Sequence, residues 1–165
     1  MKKFHLFVLA FLAGSFGTAM AQTDILDART NYSVGQSVTV TGIVTSDGNL
    51  GIVRYLQDAS AGIALYPGGE WSTLGFADPQ PGDALTMTAV LSEYNGLLEV
   101  GPDDITQVDV TSVGNPLPEA QTVTPAQLDE SMEGEIAYIE GVVFTNGGSM
   151  ITGNSTFSFS ANGED

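Results

Sequence analysis

Apolar and polar positions alternate along most of this chain, and turn residues interrupt the alternation at short intervals. Residues 36–45 read QSVTVTGIVT. Val38, Val40 and Val44 fall on one face and Thr39, Thr41 and Thr45 on the other, which predicts a strand with one buried side. Gly42 interrupts it, as a bulge or a sharp bend at a barrel corner requires. Ser46-Asp47-Gly48-Asn49 predicts a turn. Residues 51–58 (GIVRYLQD) predict a second strand, residues 59–62 a turn, and residues 63–66 a short third strand ended by Pro67-Gly68-Gly69. An irregular connection over 70–81 carries Trp71, the only tryptophan. Residues 83–92 predict a fourth strand, with Leu85, Met87, Ala89 and Leu91 set against Thr86 and Thr88. Tyr94-Asn95-Gly96 predicts a tight hairpin, because Asn-Gly tolerates positive φ. Residues 97–100 return as a fifth strand, and residues 105–113 alternate again and close or edge the sheet.

Five strands, a bent first strand and a long insertion between the third and fourth predict an all-β, OB-fold-like five-stranded barrel over 34–113. A β-sandwich is the other architecture this pattern allows. Residues 114–123 read as a linker, since GNPLPE has two prolines and no periodicity. Thr124 as N-cap, Pro125 at N1 and Gln127 at N3 then predict a short helix running to Met132 and stopping before Gly134. Residues 135–144 (EIAYIEGVVF) predict a strand with a central glycine. This strand repeats the first: Val38 to Val44 aligns with Ala137 to Val143, glycine on glycine. Tyr55 to Ser60 aligns loosely with Phe157 to Asn162. The expectation is that residues 124–165 hold the helix and first strands of a second, incomplete OB-like repeat, whose continuation lies beyond this sequence. The alternative is that residues 135–165 add a hairpin to the first barrel.

The N-terminus changes the setting. Lys2 and Lys3 precede an apolar run over 4–16, and Ala19-Met20-Ala21 places small residues where a signal peptidase needs them. Residues 1–21 therefore read as a bacterial Sec-type signal peptide, followed by a lead-in over 22–33. The expected location is secreted, extracellular or at the cell surface, with no membrane-embedded part. The chain has no cysteine, which excludes disulfides and a lipid-anchored lipoprotein. Cleavage after Ala21 removes both lysines and the only histidine, His5. Arg29 and Arg54 then face 20 acidic residues.

Those absences exclude whole classes of chemistry. Without histidine there is no Ser-His-Asp triad. Without cysteine there is no thiol nucleophile and no Cys/His zinc site. Without lysine there is no Schiff base and no P-loop. Carboxylate chemistry remains, as an acid pair or an all-oxygen Ca²⁺ or Mg²⁺ site. Asp47, Asp58, Glu93, Glu99 and Glu140 are the candidates for such a hydrolase, and their spacing matches no motif. No cofactor is otherwise expected. The acidic balance also opposes contact with a phosphate backbone.

The segment VTVTGIVTSDGNLGIVRYLQDASAGIALY resembles the OB-like modules of large secreted bacterial nucleases and related cell-surface proteins. The shared elements are Gly42, then Tyr55-Leu56-Gln57-Asp58, Gly62 and the short apolar strand at 63–66. The stretch LPEAQTVTPAQLDESMEGEIAYIEGVVF is similar to the connector between tandem modules. The resemblance implies a non-catalytic accessory module with downstream domains of the same polypeptide as partners, and it favours a nucleic acid as ligand, whereas the acidic field favours a neutral polysaccharide. OB barrels bind oligonucleotides or oligosaccharides on the outer face of strands two and three. If Leu56 and Ile63 point inward, Val53, Tyr55, Gln57, Ala64 and Tyr66 point outward. Tyr55 and Tyr66 then offer a stacking platform, unless they pack against the 67–82 connection. Arg54 is expected near the barrel mouth or under the fifth strand. Trp71 either plugs the barrel end or stacks on a ligand. The ligand-binding candidates are thus Arg54, Tyr55, Gln57, Tyr66 and Trp71. A structural spacer or adhesion element with no ligand is the alternative.

Overall fold

The computed structural model describes residues 22–145, 148 and 158–163. The signal peptide expected over 1–21 lies outside the described residues, as does Phe157. Six strands form the main sheet: β1 (Ser37–Val44), β2 (Arg54–Gln57), β3 (Gly62–Leu65), β4 (Ala84–Tyr94), β5 (Leu97–Val100) and β6 (Gln107–Ser112). Their order is β1-β2-β3-β5-β4-β6, and an added β1–β4 pairing closes the first five into a ring. All pairings in the ring are antiparallel except β3 with β5. This is an OB-like barrel rather than two stacked sheets. β6 adds to β4 outside the ring.

The alternation in the sequence becomes inside and outside. Val38, Val40, Val44, Leu56, Ile63, Leu65, Leu85, Met87, Ala89, Leu91 and Val100 fill the interior. On the other face of β1, Thr39 and Thr41 meet Thr88 and Thr86 of β4, hydroxyl to hydroxyl, at 2.8 and 2.7 Å. Such facing threonines support the register as well as the sheet. β1 pairs with β4 through Ser37–Ile43 and with β2 only from Ile43 onward. Gly42 sits at that handover. A Cβ there would lie 2.7 Å from the Gln57 carbonyl oxygen.

Two elements complete the core. A helix, α1 (Ile25–Asn31), forms in the lead-in, where the sequence reading placed none. Ile25 and Ala28 are buried in the core cluster. Helix α1 has no side-chain cap of its own at Asp24; Asp58 supplies one from the β2–β3 turn, accepting from the Ile25 N–H at 2.9 Å. The same carboxylate accepts from the Ser60 hydroxyl and from the Ser60 and Ala61 N–H groups. Burial alone would raise the Asp58 pKa, but these hydrogen bonds outweigh it and hold the carboxyl below its usual range. The second element is Trp71, at the start of a 3-10 turn over Trp71–Leu74. It is 2 % exposed, and its indole N–H donates to the Ile52 carbonyl at 2.7 Å.

Beyond the barrel the chain departs from the reading at two places. The helix expected over 124–132 is a pair of 3-10 turns, Pro125–Gln127 and Glu130–Met132. The capping box at Thr124 and Gln127 does form. Asp129 then captures the Ser131 N–H and hydroxyl, which restarts the chain in a new turn and stops α-helical propagation. The strand expected over 135–144 is broken at Gly141, whose φ is +67°. Its first part, β8 (Ala137–Tyr138), pairs in parallel with β7 (Gln121–Thr122) from the linker. Its second part, β9 (Val142–Phe144), pairs with β10 (Phe159–Ala161). Among the described residues neither small sheet is hydrogen-bonded into the barrel sheet.

Replacing Trp71 by alanine removes the largest ring from the core and orphans the Ile52 carbonyl. A loss of about 3–5 kcal/mol in unfolding free energy is expected from urea denaturation. A Trp71→Ala chain as stable as the parent would show that Trp71 does not seal the barrel.

Candidate functional site

The interior is filled, so any site lies on the outside. Register defines the outer face of β2, β3, β5 and the tip of β4. Tyr55 lies opposite Ala64, Ala64 opposite Glu99, and Glu99 opposite Ser92. One step along, Gln57 faces Gly62, and Leu97 faces Tyr94. Small residues at Gly62 and Ala64 form the floor between larger ones. Two depressions open on this face. One, of about 290 Å³, is lined by Val53, Tyr66, Tyr94 and Glu99. The other, of about 380 Å³, is lined by Thr45, Ser46, Leu50, Tyr55 and Leu97 with residues 133–136.

Residues 130–136 form a connector pinned across part of the face. A Cβ on Gly62 would lie 2.2 Å from the Gly134 carbonyl, so backbone packs directly on backbone. The Ile136 N–H donates to Gln57 Oε1 at 3.0 Å. Arg29, from α1, fastens the connector. Its guanidinium donates to the carbonyl oxygens of Gly62, Glu130 and Glu133. It also lies 3.7 and 3.6 Å from the carboxylates of Glu130 and Glu133.

Of the five ligand-binding candidates, three are engaged within the fold. Arg54 is 2 % exposed and lies on the buried side of β2 with Leu56. It donates to the carbonyls of Pro79, Gly51 and Val53 and pairs with Asp78. A buried guanidinium requires such partners, and four hydrogen bonds within the fold hold this one away from solvent. Gln57 is outward but buried under the connector. Trp71 is the plug described above, not a stacking surface. Tyr55 and Tyr66 are half-buried on the outer face, as alternation predicts, but they line separate depressions. Ala64 is outward in register yet fully buried.

Two residues of the face were not read as ligand contacts. Tyr94 and Glu99 reach it through the β4–β5 hairpin, where Ser92, Tyr94, Leu97 and Glu99 fall on one side. Alternation around Asn95-Gly96 carries that signal. Glu99 is 5 % exposed, and burial pushes its carboxyl above the usual range, opposed by a 3.2 Å hydrogen bond from the Ser92 hydroxyl. Glu133 is also pushed up, by burial first and then by repulsion from Glu130. Among the described residues no three histidine, cysteine or acidic side chains converge as a metal site would require.

No family model matches the chain, and no curated protein matches it. Solved structures similar to it include the following two. The hypothetical protein ygiW from E. coli is 17 % identical, with a TM-score of 0.41 over 54 % of this chain and 88 % of that one. OBody AM1L10 bound to hen egg-white lysozyme is 18 % identical, with a TM-score of 0.37 over 49 % of this chain and 83 % of that one.

A carboxyl whose folded pKa is raised destabilises the fold above that pKa. The penalty fades as pH falls through the raised value and is gone below the unfolded value of about 4.3. A Glu99→Gln, Glu133→Gln chain should therefore melt higher than the parent at neutral pH, with the difference closing toward about pH 4. Melting curves across that range check the sign. A difference that grows on acidification would show that both carboxylates are stabilising as anions.

Proposed function

We propose that this chain is a non-catalytic binding module of a larger secreted protein, and that it holds a polysaccharide on the outer face of β2, β3 and β5. The observation that carries this reading is where the two arginines sit. Arg29 fastens the connector and Arg54 the Pro79 loop, and these are the cations of the chain after residue 21. Phosphate recognition needs cations free to replace condensed counterions. A face with half-exposed tyrosines and carboxylates favours an uncharged chain of sugars over a nucleic acid. The export signal is consistent with such a ligand outside the cell.

A likeness within the chain supports the larger protein. The Thr23 N–H donates to the Thr39 carbonyl at 2.8 Å, and the Val123 N–H donates to the Tyr138 carbonyl at 2.9 Å. Asp24 and Thr124 are the N-caps that follow. Gly35 and Gly134, with φ of +92° and +81°, each precede a strand. The register of Val142 on Ala161 then repeats that of Ile43 on Gln57, which brings Asn162 to the place of Asp58. Val143, the counterpart of the fully buried Val44, is 65 % exposed. This pattern supports reading the connector as the start of a second OB-like module.

A spacer without a ligand is favoured by one observation, the connector fixed rigidly to the barrel by Arg29 and by the Gly62–Gly134 contact. Affinity electrophoresis in gels cast with neutral polysaccharides separates the two readings. Retardation should occur and persist in about 1 M salt, where charges are screened beyond ~3 Å. Migration unaffected by every polysaccharide would leave the spacer. Salt-sensitive retardation by single-stranded DNA instead would return nucleic acid as the partner.

A further inference from the structure

The smaller depression has a composition of its own. Tyr66 and Tyr94 form two aromatic walls, Val53 an apolar one, and Glu99 brings a carboxyl group. Its volume of about 290 Å³ lies at the bottom of the range for small-molecule pockets, enough for one ring rather than a chain. Both walls are held by backbone. The Tyr66 N–H donates to the Val100 carbonyl at 3.0 Å. Gly101 approaches so closely that a Cβ there would lie 2.0 Å from the Tyr66 carbonyl oxygen. Tyr94 is the last residue of β4, paired with Leu97 across the Asn95-Gly96 turn.

The polar group at this site is unusual for an acidic protein. Glu99 is almost wholly buried and has no cation beside it; Arg29 and Arg54 are engaged elsewhere. The Ser92 hydroxyl has one proton and two neighbouring acceptors, Glu99 Oε1 and the Gly101 carbonyl. Burial pushes the Glu99 carboxyl above its usual range. A carboxyl group and two phenols lining one cleft match hydroxyls, which both donate and accept. The aromatic faces match an apolar C–H surface. One ligand class combines the two: the uncharged pyranose ring.

We infer that the cleft of Val53, Tyr66, Tyr94 and Glu99 is a subsite for a single neutral pyranose unit, stacked on the tyrosines and hydrogen-bonded to Glu99. The inference rests on the polysaccharide reading and narrows it to one place on the face.

Calorimetric titration of the full chain with neutral oligosaccharides of glucose, mannose and xylose tests it, using Tyr94→Ala, Glu99→Gln and Tyr55→Ala. Tyr94 is 68 % exposed, so its removal leaves the core intact. Glu99→Gln keeps the shape of the side chain. Each of these two should weaken binding about tenfold or more, the scale of one stacking or hydrogen-bonding contact. Tyr55→Ala, in the other depression, should change affinity less. Binding abolished by Tyr55→Ala but indifferent to Tyr94→Ala and Glu99→Gln would overturn the subsite and leave the polysaccharide reading intact. No binding of any neutral oligosaccharide would overturn both. Tetramethylammonium competing for the cleft, with loss on Glu99→Gln, would overturn the ligand class in favour of an organic cation.

Discussion

The structure depends on one close approach. β1 must pair with β4 along most of its length and still reach β2 at its end, and it can do so because Gly42 has no Cβ. Any side chain there would collide with the Gln57 carbonyl oxygen. The β1–β4 and β1–β2 ladders would then compete rather than join, and the ring would open. Closure has a functional consequence. A five-stranded barrel is narrow enough for its own side chains to fill it, and here they do. On the proposed reading, the ligand is met on the outside of the barrel.

The second constraint is charge. A chain this acidic gains little from scattered surface pairs, and a buried cation is costly unless saturated with partners. Both arginines are held within the fold, largely by backbone carbonyls. Each ties a non-strand segment to the barrel: Arg54 the Asp78–Pro79 loop, Arg29 the connector. The cations thus act as internal fasteners, and the outer surface keeps an anionic field that a phosphate chain would oppose. The same fact bears on the fold and on the ligand.

Much of this was legible in the residues. The five ring strands and the sixth lie close to where alternation and turns put them, because each buries one side and a period of two records it. Gly42, Asn95-Gly96 and the capping box at Thr124 also behave as their chemistry dictates. Long-range contacts were not legible. Helix α1 is short and lacks its own cap; it exists because Asp58, over thirty residues away, caps it and because the barrel buries Ile25 and Ala28. Arg54, a ligand candidate by its charge, is enclosed within the fold. Only the loop carbonyls that surround it make an inward orientation tolerable. Tyr94 and Glu99 carried the right alternation, but their proximity to Tyr66 follows from the parallel β3–β5 pairing, which joins segments distant in sequence.

The connector also determines how a ligand could lie. It covers the end of the β2–β3 face at Gln57 and Gly62, where Gly134 rests on Gly62 with no room for a side chain between them. An extended polymer cannot run along the whole length of those strands. The ladder crosses them instead, from Tyr55 past the fully buried Ala64 to Glu99 and Tyr94 on the β4–β5 hairpin. Tyr55 and the cleft at Glu99 then stand at two points of one crossing, although they line separate depressions. On the proposed reading, a sugar chain would touch strands from both halves of the barrel. The hairpin at Asn95-Gly96 would contribute as much to recognition as β2 and β3.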